Sequence, residues 1–154
     1  MSASKFRQRA FSLIELVIVV VIIGIIAAIA IPRMSRGATG AAENAIKSDL
    51  AMFRNALELF QTENGGQYPA NAAAVAQALT GYSDGSGNTT AYVPARPNGF
   101  PYGPYMKDIP KLPLGTGKDS ATIAAAAGAG VGWVYDSTTH DIKANTGNAT
   151  YDAW

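Results

Sequence analysis

The chain has 154 residues, with 12 basic and 11 acidic side chains, one histidine and no cysteine. No thiol is present to act as a nucleophile or to form a disulfide, and residues 33–154 carry nine basic and ten acidic residues without a basic cluster, which argues against nucleic-acid binding. Hydrophobic residues make up 48%, but much of that is alanine and one N-terminal apolar run, so the length suits one membrane helix and one modest globular domain with a small core.

Residues 1–10 form a leader that contains Lys5, Arg7 and Arg9 and no acid. Basic residues of this kind stay on the cytoplasmic side of the membrane helix that follows. That helix is read from Phe11 to Pro32, and its 22 residues would extend about 33 Å, enough for a hydrocarbon layer of about 30 Å. Glu15 is the only charge between Phe11 and Ile31. A charge at the centre of a membrane helix costs about 3 kcal/mol on insertion scales and marks a functional site by default. Glu15 lies near the boundary, which lowers the cost and permits a plainer reading, a side chain that snorkels to the headgroups. A secretory signal peptide is a second alternative, cut after Ala30 in Ala28-Ile29-Ala30. Against it stand the length of the apolar region and the carboxylate inside it.

Arg9-Ala10-Phe11-Ser12-Leu13-Ile14-Glu15 resembles the processing site of type IV pilins and of the pseudopilins of type II secretion systems. The resemblance implies that a prepilin peptidase cleaves between Ala10 and Phe11 and N-methylates Phe11. It also implies that Glu15 of one subunit meets the N-terminal amine of a neighbour in a filament. Gly24 and Pro32 fall where members often have Gly and Pro, with Pro32 at a helix kink. One departure is Ala10, where the family usually has Gly; Ala is small enough for a tight peptidase site, and slower processing is expected. Charge arithmetic agrees with the pairing, because cleavage frees an amine of reference pKa near 8 four residues from the carboxylate. Removing one member of a desolvated pair would leave a charge uncompensated at about 3–5 kcal/mol.

Beyond the membrane segment, Ile46, Leu50, Phe53, Leu57 and Phe60 are spaced by four, three, four and three, which predicts an amphipathic helix over residues 33–66 that continues the first. Asn64-Gly65-Gly66 supplies its stop, and Pro32, Gly37 and Gly40 predict a kink or partial melting upstream. Residues 67–154 form a small globular head. In it Asn71 can cap a short helix closed by Gly81, and Ser83–Thr90 reads as an exposed turn. Six prolines between Ala91 and Leu114 predict a structured loop anchored by Tyr92, Phe100, Tyr102 and Tyr105. Gly115–Gly130 has no deciding period. Residues 132–136 and 141–145 alternate around a turn at Ser137–His140 and read as a hairpin. The expected fold class is α+β: a long N-terminal helix packed on a small antiparallel sheet, pilin-like.

Phe60–Pro69 resembles the helix end of the major type II pseudopilin, and Tyr105–Pro113 and Gly132–Asp136 loosely resemble its later loop and hairpin. Pilins proper often close a C-terminal loop with a disulfide, and the absence of Cys favours the pseudopilin. Major pseudopilins commonly hold Ca²⁺ near the C-terminus, which makes Asp108, Asp119, Asp136 and Asp141 candidate ligands. No dense D-x-D-x-D-G spacing occurs, and solvated loop acids are the favoured reading. Catalysis finds little support: His140 sits in a predicted turn, and Gly115-Thr-Gly-Lys118 lacks the spacing of a phosphate loop. The resemblance thus implies a non-enzymatic structural subunit of the inner membrane, single-pass, with a cytoplasmic N-terminus and a periplasmic head. Its implied partners are further copies of itself, other pseudopilins or minor pilins, the prepilin peptidase and the inner-membrane assembly machinery. A type IV pilus subunit, or a membrane-tethered binding module, stays as the alternative.

Overall fold

The computed structural model describes residues 11–154, and for residues 31–36 the backbone alone. It comprises two units, one ending at Gly40 and one spanning Ala41–Trp154. Helix α1, Leu13–Glu63, contributes to both.

In the first unit, Leu13–Ala30 form a stretch with mean hydropathy 3.2, long and apolar enough to cross a membrane. Its Val and Ile side chains are helix formers of only middling strength in water. Lipid leaves the backbone no partner but itself, so a helix is the available spanning structure. From Leu13 to Ile29 the large apolar side chains are exposed. The backbone stays helical through Pro32, Gly37 and Gly40, so the expected partial melting is not found. One proline removes one hydrogen bond, and each Gly costs about 1 kcal/mol, which a helix continuing on both sides absorbs.

In the second unit, Ile46, Leu50, Phe53, Leu57 and Phe60 are all buried, as their spacing predicts. The helix stops where expected, with Gly65 and Gly66 at φ of 65° and 86°. Helix α2, Ala72–Thr80, is capped by Asn71, whose side chain accepts from the Ala74 N–H at 3.1 Å. Its Val75 and Leu79 pack into the same core.

Two small sheets complete the head. Strands β1 (Tyr82–Ser83) and β2 (Thr89–Thr90) pair antiparallel, so the ends of the expected Ser83–Thr90 turn form a ladder. Ser83 is buried rather than exposed, because its hydroxyl accepts from Asn64 Nδ2 at 2.9 Å. The second sheet has the order β3-β4-β5, with β3 Ile123–Ala124, β4 Trp133–Asp136 and β5 Asp141–Ala144. The β4–β5 hairpin pairs Trp133 with Ala144 and Asp136 with Asp141, as the alternation predicts. β3 lies parallel to β4, so the sheet is mixed rather than wholly antiparallel. The Gly- and Ala-rich stretch therefore supplies a strand, and its glycines permit close crossing: a Cβ at Gly117 would lie 2.0 Å from Val131 O. The fold is α+β, in keeping with a pilin-like arrangement.

Trp133 anchors the core, edge-on to Phe53 at 5.0 Å between centroids, with its indole N–H donating to Pro110 O at 2.8 Å. Of the expected aromatic anchors, Tyr105 packs edge-on to Phe60 and Tyr102 bridges Ser83. Tyr92 is instead 58% exposed and stacks only on Tyr82 among the described aromatic contacts.

Candidate functional site

The sequence around Glu15 explains how an isolated carboxylate is held at the start of α1. Ser12 precedes the first helical residue, and its carbonyl accepts from Leu16 N–H at 3.3 Å. The Glu15 Oε2 reaches back and accepts from the Ser12 backbone N–H at 3.0 Å. Ser12-Leu13-Ile14-Glu15 thus has the pattern of a capping box, in which an acid three residues into the turn satisfies a donor the helix leaves unpaired. A negative charge in a first helical turn gains about 0.3–1 kcal/mol from the helix dipole. The S-x-x-E spacing of Ser12 and Glu15 is the sequence signal of this cap.

Phe11 lies just outside the helix and is 83% exposed. Ala10, on the other side of the expected cut, lies outside the described residues, as do Lys5, Arg7 and Arg9. The Glu15 carboxylate therefore stands one turn from the residue whose nitrogen cleavage would free. In a single copy it accepts from a backbone N–H, a neutral donor; an ammonium would add a charge-assisted bond of roughly twice the strength. Pro32 lies in the helical backbone of α1.

The four candidate calcium ligands are not gathered. Among the described residues no three acidic, His or Cys side chains form a metal-ligating group. Asp108 and Asp119 are exposed on loops, Asp119 at φ 62°. Asp136 accepts from the Thr138 N–H at 2.8 Å, and these turn bonds hold its carboxyl below the usual range. Asp141 pairs with Arg54 Nε at 2.9 Å. Asp136 is thus occupied by the hairpin turn and Asp141 by Arg54 of α1. His140, expected at the surface of a turn, is half-buried: it stacks on Tyr68 at 4.3 Å and hydrogen-bonds to the Tyr135 hydroxyl at 3.2 Å.

Two structural centres escaped the sequence reading. Asn64, fully buried, donates to Ser83 Oγ and Phe60 O and accepts from the N–H groups of Gly85 and Gly87, tying the helix end to the β1–β2 loop. At the other end of the chain, α3 (Ala149–Asp152) and Trp154 are strapped to α1. Tyr151 donates to Glu43 at 2.6 Å, Lys47 sits 4.2 Å over the Trp154 ring, and Arg54 donates to the Trp154 carbonyl.

Residues 5–31 match the model of the prokaryotic N-terminal methylation motif. The N-terminal segment thus carries a pilin-like methylation motif. The motif implies prepilin-peptidase processing and pilin-type assembly, and the exposed apolar helix fits the membrane anchor typical of pilins. The match covers the N-terminal segment alone, and no curated protein and no solved structure matches the chain.

Proposed function

We propose that this chain is the structural subunit of a type II secretion pseudopilus, cleaved between Ala10 and Phe11, N-methylated on Phe11 and polymerised through its N-terminal helix. The observation that carries the reading is a methylation motif leading into an exposed apolar helix whose one carboxylate stands a turn from the new N-terminus. In the precursor Glu15 accepts from a backbone N–H. In the mature filament it meets the amine of a neighbouring copy, which neutralises both groups and sets axial register. Pro32 is the proposed kink of α1. The anchor is single-pass in the inner membrane, with the head on the periplasmic side, and other pseudopilins and the inner-membrane assembly machinery are the expected partners. A lack of cysteine favours the pseudopilus over a type IV pilus, whose subunits often carry a disulfide-closed loop.

Glu15→Ala and Glu15→Val test the assembly role. Both are expected to insert in the membrane at wild-type levels and to yield few filaments, since an unpaired buried amine costs about 3–5 kcal/mol per contact. Normal filament yield from either variant would refute it.

A further inference from the structure

The sequence holds two Asn-Gly pairs, Asn64-Gly65 and Asn98-Gly99, and the fold treats them in opposite ways. Such a pair is open to attack by its own backbone, because glycine carries no Cβ to shield the nitrogen that follows the asparagine. Attack needs a side-chain amide that is free to turn and a backbone nitrogen that is not held in another hydrogen bond.

Asn64 is fully buried, and its amide is held at both ends. Nδ2 donates to Phe60 O at 2.8 Å and Ser83 Oγ at 2.9 Å, while Oδ1 accepts from the Gly85 and Gly87 N–H groups at 3.2 and 3.3 Å. Turning that amide would strand several buried groups, which locks it in place.

Asn98 and Gly99 are both exposed, and among the described residues neither the Asn98 side chain nor the Gly99 N–H makes a hydrogen bond. The Pro97 carbonyl accepts from the Phe100 N–H at 3.3 Å, closing a turn with Asn98 and Gly99 at its centre and Gly99 at φ 85°. The bond of such a turn joins its outer residues, so the N–H between the two central ones is left over. A Cβ at Gly99 would meet nothing within 4 Å, and the approach to its nitrogen is therefore open. Arg96 holds the base of this loop, donating to Pro101 O at 2.5 Å and to Gly103 O at 3.2 Å, with its guanidinium 5.5 Å from the centre of the Tyr82 ring. It has no carboxylate partner, since Arg54–Asp141 is the one salt bridge among the described residues.

We propose that Asn98 is a self-modification site, at which the folded head deamidates while Asn64 is protected. The Gly99 nitrogen bonds to Asn98 Cγ, the Cγ–Nδ2 bond breaks, and ammonia leaves with the Gly99 proton, which gives a cyclic succinimide. Water then opens the ring. Addition at Cγ breaks the bond from Cγ to the Gly99 nitrogen and yields aspartate; addition at the Asn98 main-chain carbonyl carbon breaks the bond there and yields isoaspartate, with the chain rerouted through Cγ. The net change is amide plus water to acid plus ammonia, so no oxidant or reductant enters. Either product gives the neutral tip of the loop an anion, one residue removed from the unpaired Arg96. The site goes beyond the proposed assembly function and does not depend on it.

Peptide mapping by mass spectrometry tests it, on the full chain in detergent, held in mildly alkaline buffer with and without urea and sampled until both sites have converted in urea. In the folded chain the Asn98 peptide is expected to gain the mass of a hydroxyl exchanged for an amino group, in part as isoaspartate. It is expected to do so at least about tenfold faster than the Asn64 peptide, which must await local unfolding. In urea the two rates are expected to converge. Asn98→Gln is expected to remove the signal at that position and to leave the melting temperature unchanged, because the residue is exposed. Equal rates at the two sites in the folded chain, or an Asn98 amide that persists there while both sites convert in urea, would overturn the proposal.

Discussion

Single buried polar residues hold the head together where apolar packing is thin. Asn64 satisfies two loop N–H groups and two acceptors from one side chain, so Asn64→Ala leaves several of them unpaired. Leaving buried groups unpaired at about 1–3 kcal/mol each predicts a loss of about 3 kcal/mol in urea unfolding of the head; a loss under about 1 kcal/mol would mean that water replaces the network. Tyrosines set the alkaline limit. Burial pushes both Tyr105 and Tyr135 up to about 12, above the ordinary phenol value of 10.0. A raised phenol pKa means that the folded state holds the proton more tightly than the unfolded chain, so stability is fully present below pH 10 and falls between pH 10 and 12. Unfolding midpoints measured from pH 8 to 12 are expected to be flat and then to decline, and Tyr135→Phe to lessen the decline. Asn64 was legible only as part of a helix stop, because Asn-Gly-Gly signals termination without revealing what an amide would bond across 19 to 23 residues of chain.

At the scale of elements, legibility followed periodicity. The Ile46–Phe60 stripe, the Asn71 cap and the β4–β5 hairpin each have a local rule, and each is found in the structure. β3 has none: two residues in a Gly- and Ala-rich stretch acquire strand geometry only because β4 offers an edge. The C-terminal strap was equally silent, since Arg54 and Trp154 are 100 residues apart. Its Lys47–Trp154 contact is expected to contribute about 0.5–1 kcal/mol, the range of exposed cation–π pairs. A double-mutant cycle of Lys47→Ala and Trp154→Ala by thermal melting measures it, and strict additivity would deny the contact. Helix α1 itself has slack upstream: a Cβ at Gly40 would meet nothing within 4 Å. Gly40→Ala should accordingly raise the helicity of the isolated chain, with a gain of about 0.5–1 kcal/mol.

For the whole molecule, the division of labour follows from where charge and apolar surface are placed. The first unit exposes an uninterrupted apolar helix with one capped carboxylate, which suits lipid; the second buries a small core against one face of α1. The calcium reading rested on resemblance alone, and the loop acids prove to be either exposed or committed to turn N–H groups and Arg54. In the proposed function, the free amine at Phe11 comes into being by cleavage beside Glu15. N-terminal sequencing with intact mass of the chain recovered from cells containing a prepilin peptidase tests this most directly: a chain that begins at Phe11 and carries one added methyl group is expected, whereas one beginning at Ile31 or Met1 would contradict it.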